Sequence, residues 1–397
     1  MRKYLKLSLF VFMAIALVST FAIGCGGGGD EGAKTPYKIG AIFSTTGGAA
    51  GLGVPEANTV EMMVEQINAA GGINGRPLEV IVYNDETDSA KCANLASKLI
   101  EQDNVLAIIG PTTSGNSLAI IETVTSAKIP LVSCAASADI IEPIEERYWV
   151  FKTPQTDRQV VAEIYSYLQS EGITKVAIMS ATSSFGTGGK KYLESEAADF
   201  GMTIVANQVF DEGATSVISQ LTLIKGTDAQ AVVAWAIDPE SAVVAMDMQT
   251  LQFNIPLICS HGIANMNFIA AAGDAANGVI FPAGKLPIVD YVPQTDPQWE
   301  VLTTYKADYE ARYSGGVSTF GGHAYDALSM IVIALENLDD GLSLAESRAA
   351  IRDNLEQISG FAGTGGIFTM SPTDHLGMQP GSLALIEIVD GEWTWKQ

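Results

Sequence analysis

Residues 37–83 read YKIGAIFSTTGGAAGLGVPEANTVEMMVEQINAAGGINGRPLEVIVY and decide the fold class. The apolar runs at 37–43 and 78–83 predict two short strands. Between them, four apolar residues at 60–67 follow the i, i+3, i+4, i+7 spacing of one helix face, and the glycine pair at 71–72 predicts the end of that helix. A strand, a helix and a second strand in this order are typical of a parallel sheet covered by helices.

The same alternation continues along most of the chain. Further strands are predicted at 105–109 and 130–133, with helices at 90–102 and 117–127. The pattern restarts after residue 154. Its second set of strands is predicted at 175–179, 203–208, 231–236 and 255–259. One architecture used twice predicts two lobes, which also fits a chain too long for one comfortable hydrophobic core.

The alternation stops after residue 285. Helices are predicted at 297–313, 323–338 and 344–357, and strands at 366–369 and 383–389. The simplest packing returns these helices to the first lobe and the last strands to the second. We therefore predict an α/β fold of two doubly wound parallel-sheet lobes with three hinge crossings. Lobe 1 comprises residues 37–155 and 286–360, and lobe 2 comprises residues 156–285 and 361–397.

The N-terminus has the pattern of a signal peptide over residues 1–24. Three cations, Arg2, Lys3 and Lys6, precede an uncharged run that closes on small residues before Cys25. A transmembrane anchor is the alternative, but the run is at the short limit for spanning a bilayer. Residues 25–36 then form a glycine-rich polar segment, which predicts a flexible tether.

The composition argues against nucleic acid as a partner. The formal net charge is −23, and without the three N-terminal cations it is −26. Such a surface repels nucleic acid and anionic lipid headgroups. It also repels an anionic ligand at long range, so an anion site must consist of local, oriented donors.

Three cysteines besides Cys25 leave the redox state open. A bridge between Cys92 and Cys134 is one reading, because both lie in the predicted first lobe of an exported protein. Three buried thiols, with Cys259 as the third, are the alternative.

Several motifs resemble the leucine/isoleucine/valine-binding family of periplasmic binding proteins. The resemblance covers nearly the whole chain after the tether, and INAAGGINGRPL at 67–78 is its most specific part. It continues in KIGAI at 38–42, IIGPTTSG at 108–115, IPLVSCAAS at 129–137 and GGHAYDA at 321–327. The resemblance implies the type I periplasmic binding protein fold and an extracytoplasmic receptor for an ABC importer. AIGC at 22–25 likewise resembles a lipoprotein processing site, which implies lipidation of Cys25 and attachment to the membrane through the lipid alone.

The family holds the carboxylate of its ligand with hydroxyls and backbone amides of the first lobe. Carried over by motif, those positions are Ser114, Ala135 and Ser137. Ser114 also lies where a predicted strand ends and a helix begins, and free amides at a helix N-terminus bind anions without a formal charge. The alternative for each serine is a helix N-cap.

The second lobe contributes two aromatic candidates and one departure from the family. Phe185 precedes Gly186 where the family often has an aromatic residue, and Trp235 ends a predicted strand, although either could be a core residue. Family members that bind amino acids place an acid near His261 to neutralise the ligand's ammonium. Because a buried ammonium without an anion is costly, we expect either Asp238 to substitute or the ligand to be a carboxylic acid without an α-amino group, with His261 hydrogen-bonded to its polar end.

The sequence contains no recognisable catalytic or metal-binding pattern. Its three histidines do not pair with Cys or acid at metal-binding intervals, and no G-x-S-x-G or phosphate-binding loop occurs. We expect His323 to face the hinge and His375 to be solvated in a turn. The predicted protein is a monomeric receptor without cofactor, an enzyme being disfavoured. A ligand-sensing subunit with the same fold is the alternative.

Overall fold

Residues 34–396 are described by a computed structural model. The segments predicted as a signal peptide and, for the most part, as a tether lie outside the described residues, as does Cys25. The described part contains two larger β-sheets, each packed against helices, and a small two-stranded sheet.

The first sheet has five parallel strands in the order β2-β1-β3-β4-β5. Its strands are β1 (Tyr37–Phe43), β2 (Leu78–Asn84), β3 (Ile108–Ile109), β4 (Leu131–Ser133) and β5 (Val150–Lys152). Three helices connect the first four: α1 (Ala50–Ala69), α2 (Ser89–Glu101) and α3 (Ser114–Ser126). The predicted strand–helix–strand unit is therefore present, although α1 begins ten residues before its apolar stripe.

The second sheet has seven strands in the order β14-β13-β10-β9-β8-β6-β7. Its parallel part comprises β6 (Lys175–Ala181), β7 (Thr203–Phe210), β8 (Ala231–Trp235), β9 (Leu257–Cys259) and β10 (Ile280–Gly284). The helices α4 (Asp157–Ser170), α5 (Ser184–Glu196), α6 (Ile218–Lys225), α7 (Glu240–Thr250) and α8 (Met266–Ala272) precede or connect these strands. Alternate residues of the sheet belong to two different cores, one with Ala177 and Met179 and the other with Val176 and Ile178, so both faces are covered.

The C-terminal part of the chain contributes to both lobes. Helices α9 (Trp299–Arg312), α10 (Thr319–Glu336) and α11 (Leu344–Glu356) are followed by β11 (Phe361–Ala362), β12 (Ile367–Phe368), β13 (Leu383–Val389) and β14 (Glu392–Trp395). Residues of α10 and α11 complete the core of the first sheet. Strand β13 pairs antiparallel with β10 and with β14, so the second sheet is mixed at one edge.

The chain passes between the two lobes three times. The crossings lie at 153–156, between β10 and α9, and between β12 and β13. The lobe boundaries given above stay a prediction, with one correction. Phe368 and Met378 are buried in the core of the first sheet, so the chain returns to lobe 2 after residue 378 rather than at 361.

Candidate functional site

A cavity of about 150 Å³ lies where the two sheets face each other. Its walls are the segments that follow the carboxyl ends of strands in both lobes, which is where ligands bind in open α/β sheets. The main wall segments are 112–116 after β3, 134–136 after β4, 183–185 after β6 and 261–262 after β9, together with Phe320 and His323 of α10. Residues that are far apart in sequence thus converge on one cavity.

Ser114 lies on the cavity wall and is not a helix cap. Thr113 is the N-cap of α3, with its side chain accepting a hydrogen bond from the Asn116 amide. Ser114 is the first residue of the helix, and its Oγ accepts a hydrogen bond from the Ser137 amide at 3.3 Å. Because the first backbone bond of α3 runs from Ser117 N to Thr113 O, the amides of the first turn point towards the site without a helical partner.

The loop after β4 forms the neighbouring wall. Ala135 lines the cavity, and its amide donates to Ser133 Oγ at 3.1 Å. Ser137 is 1% exposed and does not line the cavity; its amide reaches Ser114 from behind. The three predicted first-lobe positions are therefore brought together, with two in the wall and one supporting it.

Lys152 lies beneath this loop and was not anticipated as a site residue. The side chain is fully buried at the end of β5, and its ammonium donates to the carbonyl oxygens of Ala136, Ser137 (3.5 Å) and Gln155 (3.2 Å). Burial lowers the pKa of Lys152, and the nearby Asp157 carboxylate opposes that change. A lysine closing a buried strand is the sequence signal that could have revealed it, since buried charges are rare unless they have partners.

Phe185 and His261 form the facing wall from lobe 2. Phe185 is the second residue of α5, and its ring meets the His261 imidazole edge-on at a centroid distance of 5.2 Å. His261 follows Ser260, which caps a short 3-10 turn after β9. Both side chains line the cavity.

Trp235 is a core residue, contrary to its prediction as a wall of the cleft. Its side chain is fully buried and absent from the cavity wall. The indole packs behind the site, with centroids 5.8 Å from Phe185 and 6.1 Å from His261. Gly189 of α5 lies so close that an added Cβ would meet the indole at 2.1 Å. The Trp235 side chain lies in the layer between β8 and α5. The polar turn at 238–240, which follows in the sequence, does not indicate this position.

Two histidines line the cavity, and both are neutral. His261 and His323 are 3% and 2% exposed. Burial, together with the nearby Lys152 charge, lowers the pKa of His323 to about 3. Burial, His323 and Lys152 hold the pKa of His261 well below its usual value. Neither ring nitrogen of His261, nor Nδ1 of His323, has a hydrogen-bond partner among residues 34–396.

His375 is buried, which corrects the expectation that it is solvated. Its Nδ1 contacts the Val150 carbonyl at 2.9 Å, and its Nε2 contacts Glu356 at 3.1 Å. The ring stacks on Phe151 at a centroid distance of 4.1 Å. This histidine therefore joins the return segment to the first sheet and does not line the cavity.

A buried polar network fixes the shape of the first-lobe wall. Thr112 Oγ1 donates to Glu56, a carboxyl group whose pKa is raised by burial. The Asn116 amide group donates to Asp85 at 2.7 Å. Thr112 and Asn116 line the cavity, so these two bonds hold wall side chains in single orientations.

The described cysteines are free and buried. Cys92, Cys134 and Cys259 form no disulfide, so of the two readings the structure has the thiols. Cys134 lies in the cavity wall. Within residues 34–396, no group of three or more His, Cys, Asp or Glu side chains could hold a metal ion.

The fold and the site together can be compared with known proteins. Residues 36–392 match the family model described as periplasmic binding protein. The chain belongs to this family. This periplasmic binding protein has, as predicted, the type I fold, and it resembles a solved extracellular ligand-binding receptor from Rhodopseudomonas palustris HaA2. That structure has a TM-score of 0.85 and 28% identity, with 91% of this chain and 100% of that chain covered.

Curated relatives include binding proteins for branched-chain amino acids. The Leu/Ile/Val-binding protein BraC3 of Rhizobium johnstonii is 25% identical over 63% of this chain and 68% of the relative. A leucine-, isoleucine-, valine-, threonine- and alanine-binding protein of Pseudomonas aeruginosa is 22% identical over 97% of this chain and 95% of the relative. For several others the match spans about half of their length, 55%. The first two of these relatives are named as binding proteins.

No helix within residues 34–396 has the length and apolar character needed to cross a membrane.

Proposed function

We propose that this periplasmic binding protein is the substrate-binding component of an ABC importer and captures a small carboxylate between its lobes. The observation that supports this most is the cavity walled by segments that follow strand ends of both sheets. A ligand that contacts both lobes favours the closed arrangement, because only that arrangement provides all its contacts. The closed shape then presents the loaded protein to the permease.

The carboxylate is held by the first lobe. The Ser114 hydroxyl and the first amides of α3 supply oriented donors, Ala135 lines the neighbouring wall, and Ser137 is bonded to Ser114 from behind. Lys152 adds a buried positive charge beneath that loop. These local features offset the long-range repulsion expected from a net charge of −23.

The rest of the ligand lies against lobe 2. Phe185 provides an apolar wall, His261 provides a polar contact, and Trp235 holds both rings in place from behind. The ligand is an amino acid or an amine-free organic or aromatic acid. In this proposal the protein is a monomer without cofactor, outside the cytoplasm, and anchored through lipidated Cys25.

Calorimetric titration with small carboxylates tests the capture of ligand. We expect Ser114→Ala to weaken binding by about 10- to 100-fold, because a hydrogen bond to a charged group contributes about 1.5–3 kcal/mol. Ser170→Ala is the matched control, since Ser170 is an exposed serine at the end of α4. Equal affinity in the Ser114 variant, or chemical turnover of the bound acid, would contradict the proposal.

Uptake of the same ligand tests the transport role. Deleting the gene should abolish import of the acid that binds in calorimetry. Normal import together with loss of a ligand-induced transcriptional response would instead support the sensing alternative.

A further inference from the structure

Besides the first-lobe wall at Ser114, the cavity has a polar region formed by two histidines from different parts of the fold. His261 follows β9 in lobe 2, whereas His323 lies in the first turns of α10, which packs with the first sheet. Both line the same cavity, and both are more than nine-tenths buried. They are near enough that His323 affects the pKa of His261. A ligand spanning the cavity therefore meets an imidazole from each side.

These imidazoles remain uncharged over the ordinary pH range. Burial is the largest cause of the lowered pKa of each ring, and Lys152 is a further cause for both. Desolvation and the field of Lys152 act on any cation placed here, not only on a protonated imidazole. A ligand ammonium at this end of the cavity would thus be opposed by the same two effects.

No buried carboxylate in the wall is placed to offset that cost. Among the described residues that line the cavity, Glu212 is the one acid, and it is solvent-exposed. Asp238 follows the wall residue Ile237 but does not line the cavity; its Oδ2 accepts a hydrogen bond from Asn265 at 3.1 Å, and its Oδ1 has no partner among residues 34–396. Burial raises the pKa of Asp238 to about 8, so the group is largely protonated near neutrality. It is a poor counter-ion for an ammonium.

We propose that His261 and His323 together hold an uncharged hydroxyl or carbonyl group of the ligand, and that the ligand is a carboxylic acid without an amino group. This inference rests on the proposed capture of a carboxylate. A neutral imidazole has one donor and one acceptor nitrogen, so the pair can serve either group. With Phe185, Phe320 and Ile237 as apolar surface, a cavity of about 150 Å³ suits a short branched chain or a single ring.

Matched pairs of ligands test the inference directly. Leucine is compared in calorimetry with 2-hydroxy-4-methylpentanoate and 4-methyl-2-oxopentanoate, which differ from it only in the group that replaces the amine. Benzoate and 4-hydroxybenzoate form a second pair, without and with a distal hydroxyl. We expect at least 100-fold tighter binding of the better hydroxy or oxo acid than of leucine, isoleucine or valine.

The outcomes separate the two proposals. Binding of an amino acid as tight as that of its hydroxy or oxo analogue would overturn the histidine assignment and leave carboxylate capture intact. Absence of binding for every carboxylate in the set would overturn the capture itself, and the histidine assignment with it.

Variants at the histidines provide a second test. His261→Gln and His323→Gln keep an uncharged donor and acceptor, and we expect each to retain the preference for amine-free acids. His261→Glu supplies a carboxylate, so it should weaken the amine-free acid by at least tenfold and strengthen leucine by at least tenfold. If the His261→Glu protein is folded and its ratio of affinities for the amine-free acid and for leucine is unchanged, the proposal is overturned. If that variant does not fold, loss of the preference for the amine-free acid in either glutamine variant overturns it.

His375→Gln is the matched control, because His375 is a buried histidine whose side chain does not line the cavity. Its ratio of affinities should equal that of the unmodified protein. Circular dichroism and thermal unfolding establish that each variant is folded before its affinities are compared.

Discussion

Replacing Gly189 with alanine should destabilise the protein and loosen the lobe 2 wall of the cavity. Gly189 lies inside α5, and the Cβ of an alanine would lie 2.1–2.2 Å from three atoms of the Trp235 indole. Carbon atoms in ordinary contact are separated by about 3.5–4.0 Å. Trp235 is fully buried, so its ring has no open space into which to retreat.

Two effects of opposite sign determine how much Gly189→Ala changes the free energy of unfolding. Glycine to alanine inside a helix normally stabilises a protein by about 1 kcal/mol. Overpacking a core typically costs about 1–3 kcal/mol, and an overlap of this depth belongs at the upper end of that range. We therefore expect the free energy of unfolding to fall by about 1–2 kcal/mol, which corresponds to a decrease in Tm of about 2–8 °C for a domain of 150–250 residues.

Urea unfolding and calorimetric titration measure the two consequences. Affinity should fall together with stability, because the displaced indole supports Phe185 and His261. Gly48→Ala is the control, since a Cβ there meets nothing within 4 Å and should leave both quantities unchanged. A Gly189→Ala protein that is as stable as the unmodified protein, or more stable, would refute this account of the packing.

Three further predictions concern buried ionisable groups. Burial raises the pKa of Asp238 from 3.8 to about 8, so between these pH values the folded protein keeps a proton that the unfolded chain releases. The free energy of unfolding should therefore fall as pH rises through this range. Chemical unfolding at several pH values should show a shallower fall in the Asp238→Asn variant. Lys152→Met should weaken carboxylate binding by about tenfold, a loss of about 1.4 kcal/mol in calorimetry, and unchanged affinity in folded protein would remove Lys152 from the site. Cys92, Cys134 and Cys259 are buried free thiols with raised pKa values, so a Cys25→Ser variant should react with a thiol reagent only after unfolding, with three equivalents consumed.

Local patterns were sufficient to predict the fold. Strand β13 has the predicted bounds, Leu383–Val389, and the unit from β1 to β2 is present as predicted. Apolar periodicity reports which face of an element is covered, and that information lies within a few residues. Strand β3 was predicted to begin at residue 105, whereas it spans Ile108–Ile109; the bonds of Leu106 and Ala107 to β1 continue the pairing on its N-terminal side.

A residue of the candidate site was predictable only where a local sequence motif marked its position. Ser114, Ala135, Phe185 and His261 follow strand ends, and all four line the cavity. The misplaced residues depend on contacts with remote parts of the chain. His375 is covered by Val150, 225 positions away.

Lys152 was missed as a site residue, and His323, which was expected to face the hinge, was not predicted to line the cavity, for the same reason. Thr153 donates to the His323 carbonyl, which joins the first crossing to α10 across 170 positions. The position of the Lys152 ammonium depends on hydrogen bonds to carbonyl groups in a loop 15–16 residues earlier. No short window of sequence contains these pairs.

The Lys152 ammonium connects the wall of the cavity to the first crossing between the lobes. It donates at once to the Ala136 carbonyl, in a loop that lines the cavity, and to the Gln155 carbonyl, in that crossing. In the proposed capture of a carboxylate, a rotation that shifted residue 155 would strain a bond to this loop. Opening of the lobes and release of the ligand would then be coupled through one side chain.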